Sequence, residues 1–423
     1  MKHAALIASA LIALGVLGGC KGSHNQNSAQ VRMLNAVVDA EPLNMNVDDS
    51  AKATGVALGS ASGYTEVSSG TRDVKIISST SQAVLLEKSM GLPDGTNDTV
   101  LVYGKRAAMQ ASVLTDDATV ISSGHLRVRV VNLAGDTGVV DVYIGAGDLS
   151  SLPAVIAGAG AGTVTPSAEI SPGSAPIRIT LSGTQDVIFT SDPQNFTAAS
   201  YVTIVVVPSP GGKLVNAIVL TQAGGTTFLQ NPISRVKATN AIVDAAAGYN
   251  FRADGAPILL NVPFAASSTY INIASGNHTL QLEPSNVPGT IAASLTKSLD
   301  GAHDYSLVAL GTSAAPQLIA ITDDNTSPPA GLAKVRFIDA MSGLSAVDVQ
   351  VNFAGELSGL AFGAASSYYN VTPSLTYTIT FASQGGLSVL ATATPIEIDN
   401  GGVYTAYLLG TSSAPQIRVV RDR

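Results

Sequence analysis

The chain has 423 residues, of which 46% are hydrophobic, 12% charged and 5% aromatic, with a formal net charge of -8 and one cysteine. That length is too great for one core, since domains run to about 100 to 200 residues. The acidic balance argues against nucleic acid, whose phosphates need a basic surface, and a lone cysteine excludes an intramolecular disulfide.

The N-terminus has its own pattern. Lys2 and His3 precede an apolar run, Ala4 to Gly19, which closes on Leu17-Gly18-Gly19-Cys20. A spanning helix wants about 20 apolar residues, so this run is short for a permanent anchor and ends in small residues suited to cleavage. It resembles a bacterial lipoprotein signal with its lipobox. The resemblance implies a signal peptide over residues 1–19, thioether lipidation of Cys20 and a membrane partner through that lipid. Residues 20–30 read as the lipidated Cys and a flexible tether, because Lys21 to Gln30 offers almost nothing to bury. Lys21 at the second mature position resembles lipoproteins sorted to the outer membrane of diderm bacteria.

Beyond the tether the chain repeats. LGTSAAPQ at Leu310 to Gln317 returns as LGTSSAPQ at Leu409 to Gln416, and the same offset carries Val236 onto Val335. Opening strands align at Val31 to Asn35, Val128 to Asn132, Val236 to Asn240 and Val335 to Asp339. Four modules follow, over residues 31–121, 125–222, 234–324 and 333–423, with linkers at Ser122 to Gly124, Ala223 to Ile233 and Asn325 to Leu332. The Pro328-Pro329 pair predicts a stiffer last joint.

Within each module the period is that of strands. Val128 and Val130 face one way while Arg127 and Arg129 face the other. Four residues past the Asn comes Asp39, Asp136 or Asp244, with Gly343 in the fourth module, short residues that turn the chain by bonding their own backbone. A second strand follows, for example Leu43 to Val47, then Tyr64, Tyr270 or Tyr368, and later a Tyr-led apolar strand at Tyr201, Tyr305 or Tyr404. Units of this size built from five- to six-residue strands predict an all-β protein of four tandem antiparallel β-sandwich, immunoglobulin-like modules, displayed as an extended rod.

Seven cations, Arg32, Arg127, Arg129, Arg235, Lys237, Lys334 and Arg336, fall on the outward faces of the opening strands. A solvated face that discourages edge pairing is the favoured reading, and an anion-binding stripe the other.

The stretch VRVVNLAGDTGVVDVYIG, Val128 to Gly145, resembles the opening of the secreted bacterial domain-of-unknown-function family 4397. The likeness continues in GLAFGAASSY from Gly359, YTAYLLG from Tyr404 and the acidic closures Asp116-Asp117 and Asp323-Asp324. A His common after that family's first strand is Asn35, Asn132, Asn240 or Asp339 here, so no role of that His is carried over. The resemblance implies an exported β-sandwich and no particular activity.

Catalytic signals are absent. Gly211-Gly212-Lys213 is followed by Leu214 and lacks the upstream Gly of a phosphate loop; Gly158-Ala-Gly160-Ala-Gly162 lacks dinucleotide spacing and reads as a flexible loop. His125, His278 and His303 share no metal-ligand spacing. Acidic pairs Asp48-Asp49, Asp116-Asp117 and Asp323-Asp324 lack the loop of a calcium site and read as solvated strand ends. With no Trp, sugar stacking would fall to Tyr143, Tyr368, Tyr369 or Tyr407, more simply explained as strand packing. The expectation is a lipid-anchored cell-envelope protein, not an enzyme, with no cofactor, no metal and no nucleic-acid partner, acting in adhesion or scaffolding; a glycan- or small-ligand-binding module is the alternative.

Overall fold

The computed structural model describes residues 27–423 apart from 246 and 387, so the leader, Cys20 and the tether up to residue 26 lie outside the described residues. In the first module, eight strands follow the alternation of the sequence: β1 (Ser28–Val37), β2 (Leu43–Val47), β3 (Ser50–Val56), β4 (Thr65–Ser68), β5 (Gly70–Ser78), β6 (Val84–Leu92), β7 (Asn97–Lys105) and β8 (Ala108–Thr115). They form two sheets, in the orders β4-β1-β7-β8 and β3-β2-β5-β6. Neighbours run antiparallel except β1 and β7, which are parallel with Gln30 opposite Asn97 and Val37 opposite Gly104.

The modules that open on Ile233–Asn240 and Ala333–Asp339 repeat both orders. The chain is thus the all-β series of two-sheet sandwiches that its sequence predicts. The second module, opening on Leu126–Asn132, keeps the plan and adds a ribbon, Gly173–Ala175 with Gln194–Phe196, and a fifth strand, Thr226–Leu229, at one sheet edge. That strand occupies the stretch expected as a linker. Ser28 to Gln30, expected as tether, pair instead with Ser68 to Glu66 in β4. The glycine-rich stretch expected as a loop begins as a strand, Ile156–Ala159, against Val140–Ile144.

Each sandwich closes its own apolar interior. Val31, Met33, Leu43, Met45, Val74, Ile76, Val100 and Val102 fill the first, while Phe189, Phe251 and the edge-on pair Phe337 and Phe381 anchor the others. Each such side chain contributes about 1.5–3 kcal/mol on burial.

The repeated octapeptide is the hairpin joining the seventh and eighth strands. Gly311 and Gly410 sit at φ +89° and +95°, and a Cβ there would lie 2.5 Å from the Ala315 carbonyl oxygen and 2.3 Å from that of Ala414. Neither the dihedral nor the space admits a side chain. The Asp of the loop after each opening strand clamps this hairpin from the side. Asp244 accepts from the Ser313 amide at 2.7 Å and hydroxyl at 2.9 Å, and Asp39 from the Arg106 amide at 2.7 Å. These carboxylates therefore reach beyond their own loop to a neighbouring turn.

Candidate functional site

On β1, Val31 and Met33 point into the core, which leaves Arg32, Leu34 and Ala36 on the opposite face. That face is covered by the next module. Leu34, Ala36, Leu101 and Leu114 of the first module pack against Val131, Leu133, Val205, Val207, Ile218 and Leu220 of the second. The third and fourth modules join in the same way, through Ala241, Val308 and Leu310 against Ile338, Ala340, Tyr407 and Leu409. The expected rod of separate units is corrected to sandwiches stacked sheet face on sheet face, one with two and three with four.

Five of the seven cations read as a solvated face or an anion stripe are buried, and Arg127 and Arg129 are half-buried beside the first module, so both readings are corrected. Arg32, Lys237 and Arg336 are 1% exposed, Lys334 4% and Arg235 8%. A buried charge needs a partner, and each has one. Arg32 donates to its own Thr99 hydroxyl at 2.9 Å and across the contact to the Thr221 carbonyl at 3.2 Å. Arg129 mirrors it, with its own Thr203 hydroxyl at 3.0 Å and the Thr115 carbonyl of the first module at 3.0 Å. In the second pair carboxylates take over the crossing: Arg336 reaches Asp323, and Lys237 reaches Asp422, 185 positions away. Burial opposes the Lys237 charge, but Tyr407, Asp422 and Asp323 outweigh it and raise its pKa.

The recurrent tyrosines complete the arrangement. The Arg32 guanidinium lies 4.5 Å from the Tyr64 ring, Arg235 and Lys237 lie 4.7 and 5.2 Å from Tyr270, and Lys334 and Arg336 lie 4.9 and 5.0 Å from Tyr368. The Tyr64 hydroxyl donates to Asp116 at 2.9 Å and that of Tyr270 to Asp323 at 2.5 Å; burial pushes Tyr64 up to about 12. In the second module Ser167 stands in the tyrosine's place, accepting from Arg127 at 2.9 Å and donating to Asp117 at 2.6 Å. Burial would raise Asp117, yet hydrogen bonds from Ser167 and Thr119 and the charge of Arg127 hold it at about 2.

Basic strand, tyrosine and acidic closure thus form one constellation, a module-joining site. The acidic pairs are engaged by the chain's own cations: Asp323 by Arg336, Asp324 by Lys334 at 2.9 Å, and Asp49 by Lys75 at 2.7 Å. Asp323 is 1% exposed, so the solvated strand end expected there is corrected. Among the described residues no group of three or more His, Cys, Asp or Glu is placed to hold a metal. His278 bonds Asp254 at 2.7 Å, and His125 and His303 bond main-chain carbonyls. Of the candidate stacking tyrosines, Tyr407 is fully buried between modules, Tyr368 lies beneath two cations and Tyr369 packs on Phe337 at 5.9 Å.

A second joint links the pairs, and sequence reasoning missed it. The Gly211 amide donates to the Ala302 carbonyl at 3.1 Å, and a Cβ on Gly212 would meet the Asn325 carbonyl oxygen at 2.2 Å. The Gly-Gly-Lys that fails as a phosphate loop is a close backbone contact between modules two and three. The Pro-containing linker is pinned as well, by Asp136 on the Ser327 amide at 3.0 Å and by Lys105 on the Thr326 hydroxyl at 2.7 Å. Arg423 crosses the joint to the carbonyls of Asp136, Gly212 and Asn325, the last at 2.9 Å.

Comparison with known proteins agrees with this architecture. The model of the family described as Domain of unknown function (DUF4397) matches residues 29–143, 234–350 and 333–423. The unmatched stretch between 143 and 234 contains the extra ribbon and edge strand of module two. No curated protein matches. Among solved structures, the Bacillus anthracis TIE protein is 9% identical, with 92% of this chain and 69% of that one covered at a TM-score of 0.15. A product complex of SpuA, a multi-modular glycogen-degrading pneumococcal virulence factor, is 9% identical, with 89% and 38% covered at a TM-score of 0.17. Neither score carries an argument about fold or activity. The three matched regions together cover more than half of the sequence, and the chain belongs to the DUF4397 family.

Proposed function

We propose that this is a lipid-anchored, non-enzymatic protein of the cell envelope whose repeated sandwiches serve as a rigid scaffold or adhesive stalk, in the outer membrane where the host has one. The observation that carries the reading is the use made of the charged side chains: the conspicuous cations and carboxylates of the repeat hold module to module. The Leu17-Gly18-Gly19-Cys20 ending supports the anchor, with Cys20 as the lipidated residue. Weak surface contacts repeated along such an array add through avidity, provided its modules keep fixed relative positions.

The test is made on the full chain. Labelling with a fatty-acid analogue in a bacterial host is expected for the wild type and lost in Cys20→Ser, with the protein moving from the membrane to the soluble fraction. Equal labelling, or membrane retention of the variant, contradicts the anchor. Loss of cell-surface attachment on deletion, with no soluble ligand bound, is the result that separates a scaffold from the alternative glycan- or small-ligand-binding module.

A further inference from the structure

Within each pair a buried apolar cluster spans the two facing sheets. Between the pairs the apolar share is small: Ala302 and Ile233 of the third module reach the core of the second, and among the described residues no apolar cluster joins the second module to the fourth. The rest of the joint is main-chain approach and hydrogen bonding. Gly211 and Gly212 lie against Ala302 and Asn325. The Asn231 carboxamide is bonded into the second module at the carbonyls of Ile188 (2.7 Å) and Val215 (3.0 Å), while its own carbonyl oxygen lies 2.0 Å from where a Cβ on Gly301 would stand. The chain crosses from Thr226–Leu229 to Ile233–Asn240 through Gln230, Asn231 and Pro232, so turning between the halves falls on those residues. A small polar interface within one chain leaves relative motion open, and hinges are a few residues at the ends of elements. Arg423 opposes that motion. It belongs to the fourth module and not to the crossing segment, yet its guanidinium donates to the carbonyls of Asp136 and Gly212 in the second module, the latter at 3.4 Å, and to that of Asn325 in the last linker at 2.9 Å. Five N–H groups in one rigid plane hold three acceptors in fixed geometry, which an ammonium on a flexible stem does not do.

We propose that the molecule is two stiff halves and that Arg423 is the latch between them. With its three bonds in place the four sandwiches move as one body; without them the third and fourth modules swing together about Gln230 to Pro232. The small polar joint opens before either apolar pairing, so the latch decides whether the array is one rod or two. This needs neither the lipid nor a surface partner, so it and the scaffold reading can fail separately. The test is single-molecule energy transfer on the chain from residue 21, which keeps all four sandwiches and has no cysteine of its own. Dyes on Ser89→Cys and Ser358→Cys, exposed in the first and fourth modules, span the joint; dyes on Ser298→Cys and Ser358→Cys report on the third and fourth modules alone. Across the joint a single narrow distance distribution is expected for Arg423, and one at least about twofold broader for Arg423→Ala, while the control pair stays narrow in both. Arg423→Lys, which keeps the charge and loses the fork, is expected to broaden as Arg423→Ala does; full rescue by Lys would overturn the hydrogen-bonded latch. An unchanged distribution in Arg423→Ala, a broad one with Arg423 in place, or equal broadening of the control pair would overturn the proposal.

Discussion

Asp339 stands where the other modules carry Asn35, Asn132 and Asn240, and the difference is one of protons. Asn35 and Asn240 donate to the carbonyls of Val56 and Val262 at 3.0 Å and accept from the amides of Val37 and Ile242. Asp339 accepts from the Met341 amide at 3.0 Å, but its second oxygen is buried without a partner, and burial lifts the carboxyl to about 6. The folded value exceeds the unfolded one, so the unfolded chain releases its proton first and stability falls as pH rises from about 4 to about 6, by up to about 3 kcal/mol for a shift of roughly two units. Asp339→Asn is therefore expected to stabilise the protein at pH 7.5 and to be near neutral at pH 3.5. Denaturant melts at both values check it, and a gain independent of pH would refute the assignment. The sequence marked this position as an exception to the repeat, but a lone Asp in an Asn column does not announce that its surroundings exclude water.

At the scale of the strand and its turn, the octapeptide was legible as a repeat because its backbone geometry tolerates so little variation. Gly410→Ala places a Cβ 2.3 Å from a carbonyl oxygen at φ +95°, and a loss of about 1–3 kcal/mol is expected. The same change at Gly355, where a Cβ has open space, is the control; equal losses at the two sites would refute the steric account. The opening strands were legible too, since alternation separates their two faces. What alternation cannot say is what covers the second face. The clue lay in the seventh strands: Tyr201–Pro208 and Val403–Thr411 are apolar on both faces, as befits strands buried on both sides. An outward basic residue beside a doubly apolar strand belongs to an interface.

Across the whole molecule the two kinds of contact have different roles. The apolar faces supply attraction between any two modules, whereas the buried charges select the partner. Arg32 and Arg129 meet carbonyls, while Lys237 and Arg336 meet Asp422 and Asp323, so pairing a module with the wrong neighbour would strand a carboxylate or a cation without its match. None of this pairing was readable from sequence, because Lys237 and Asp422 lie in different repeats and each alone looks like an ordinary strand residue. It makes the central claim, sheet-on-sheet union of modules, open to a direct measurement. A double-mutant cycle on Lys237→Met and Asp422→Leu in the otherwise intact chain isolates the contact between the third module's first strand and the end of the fourth module. Each single change is expected to lose about 3–5 kcal/mol by leaving a buried charge alone, and the double change far less than their sum. Losses that add to within about 0.5 kcal/mol would mean that the two side chains never meet, and would contradict the account.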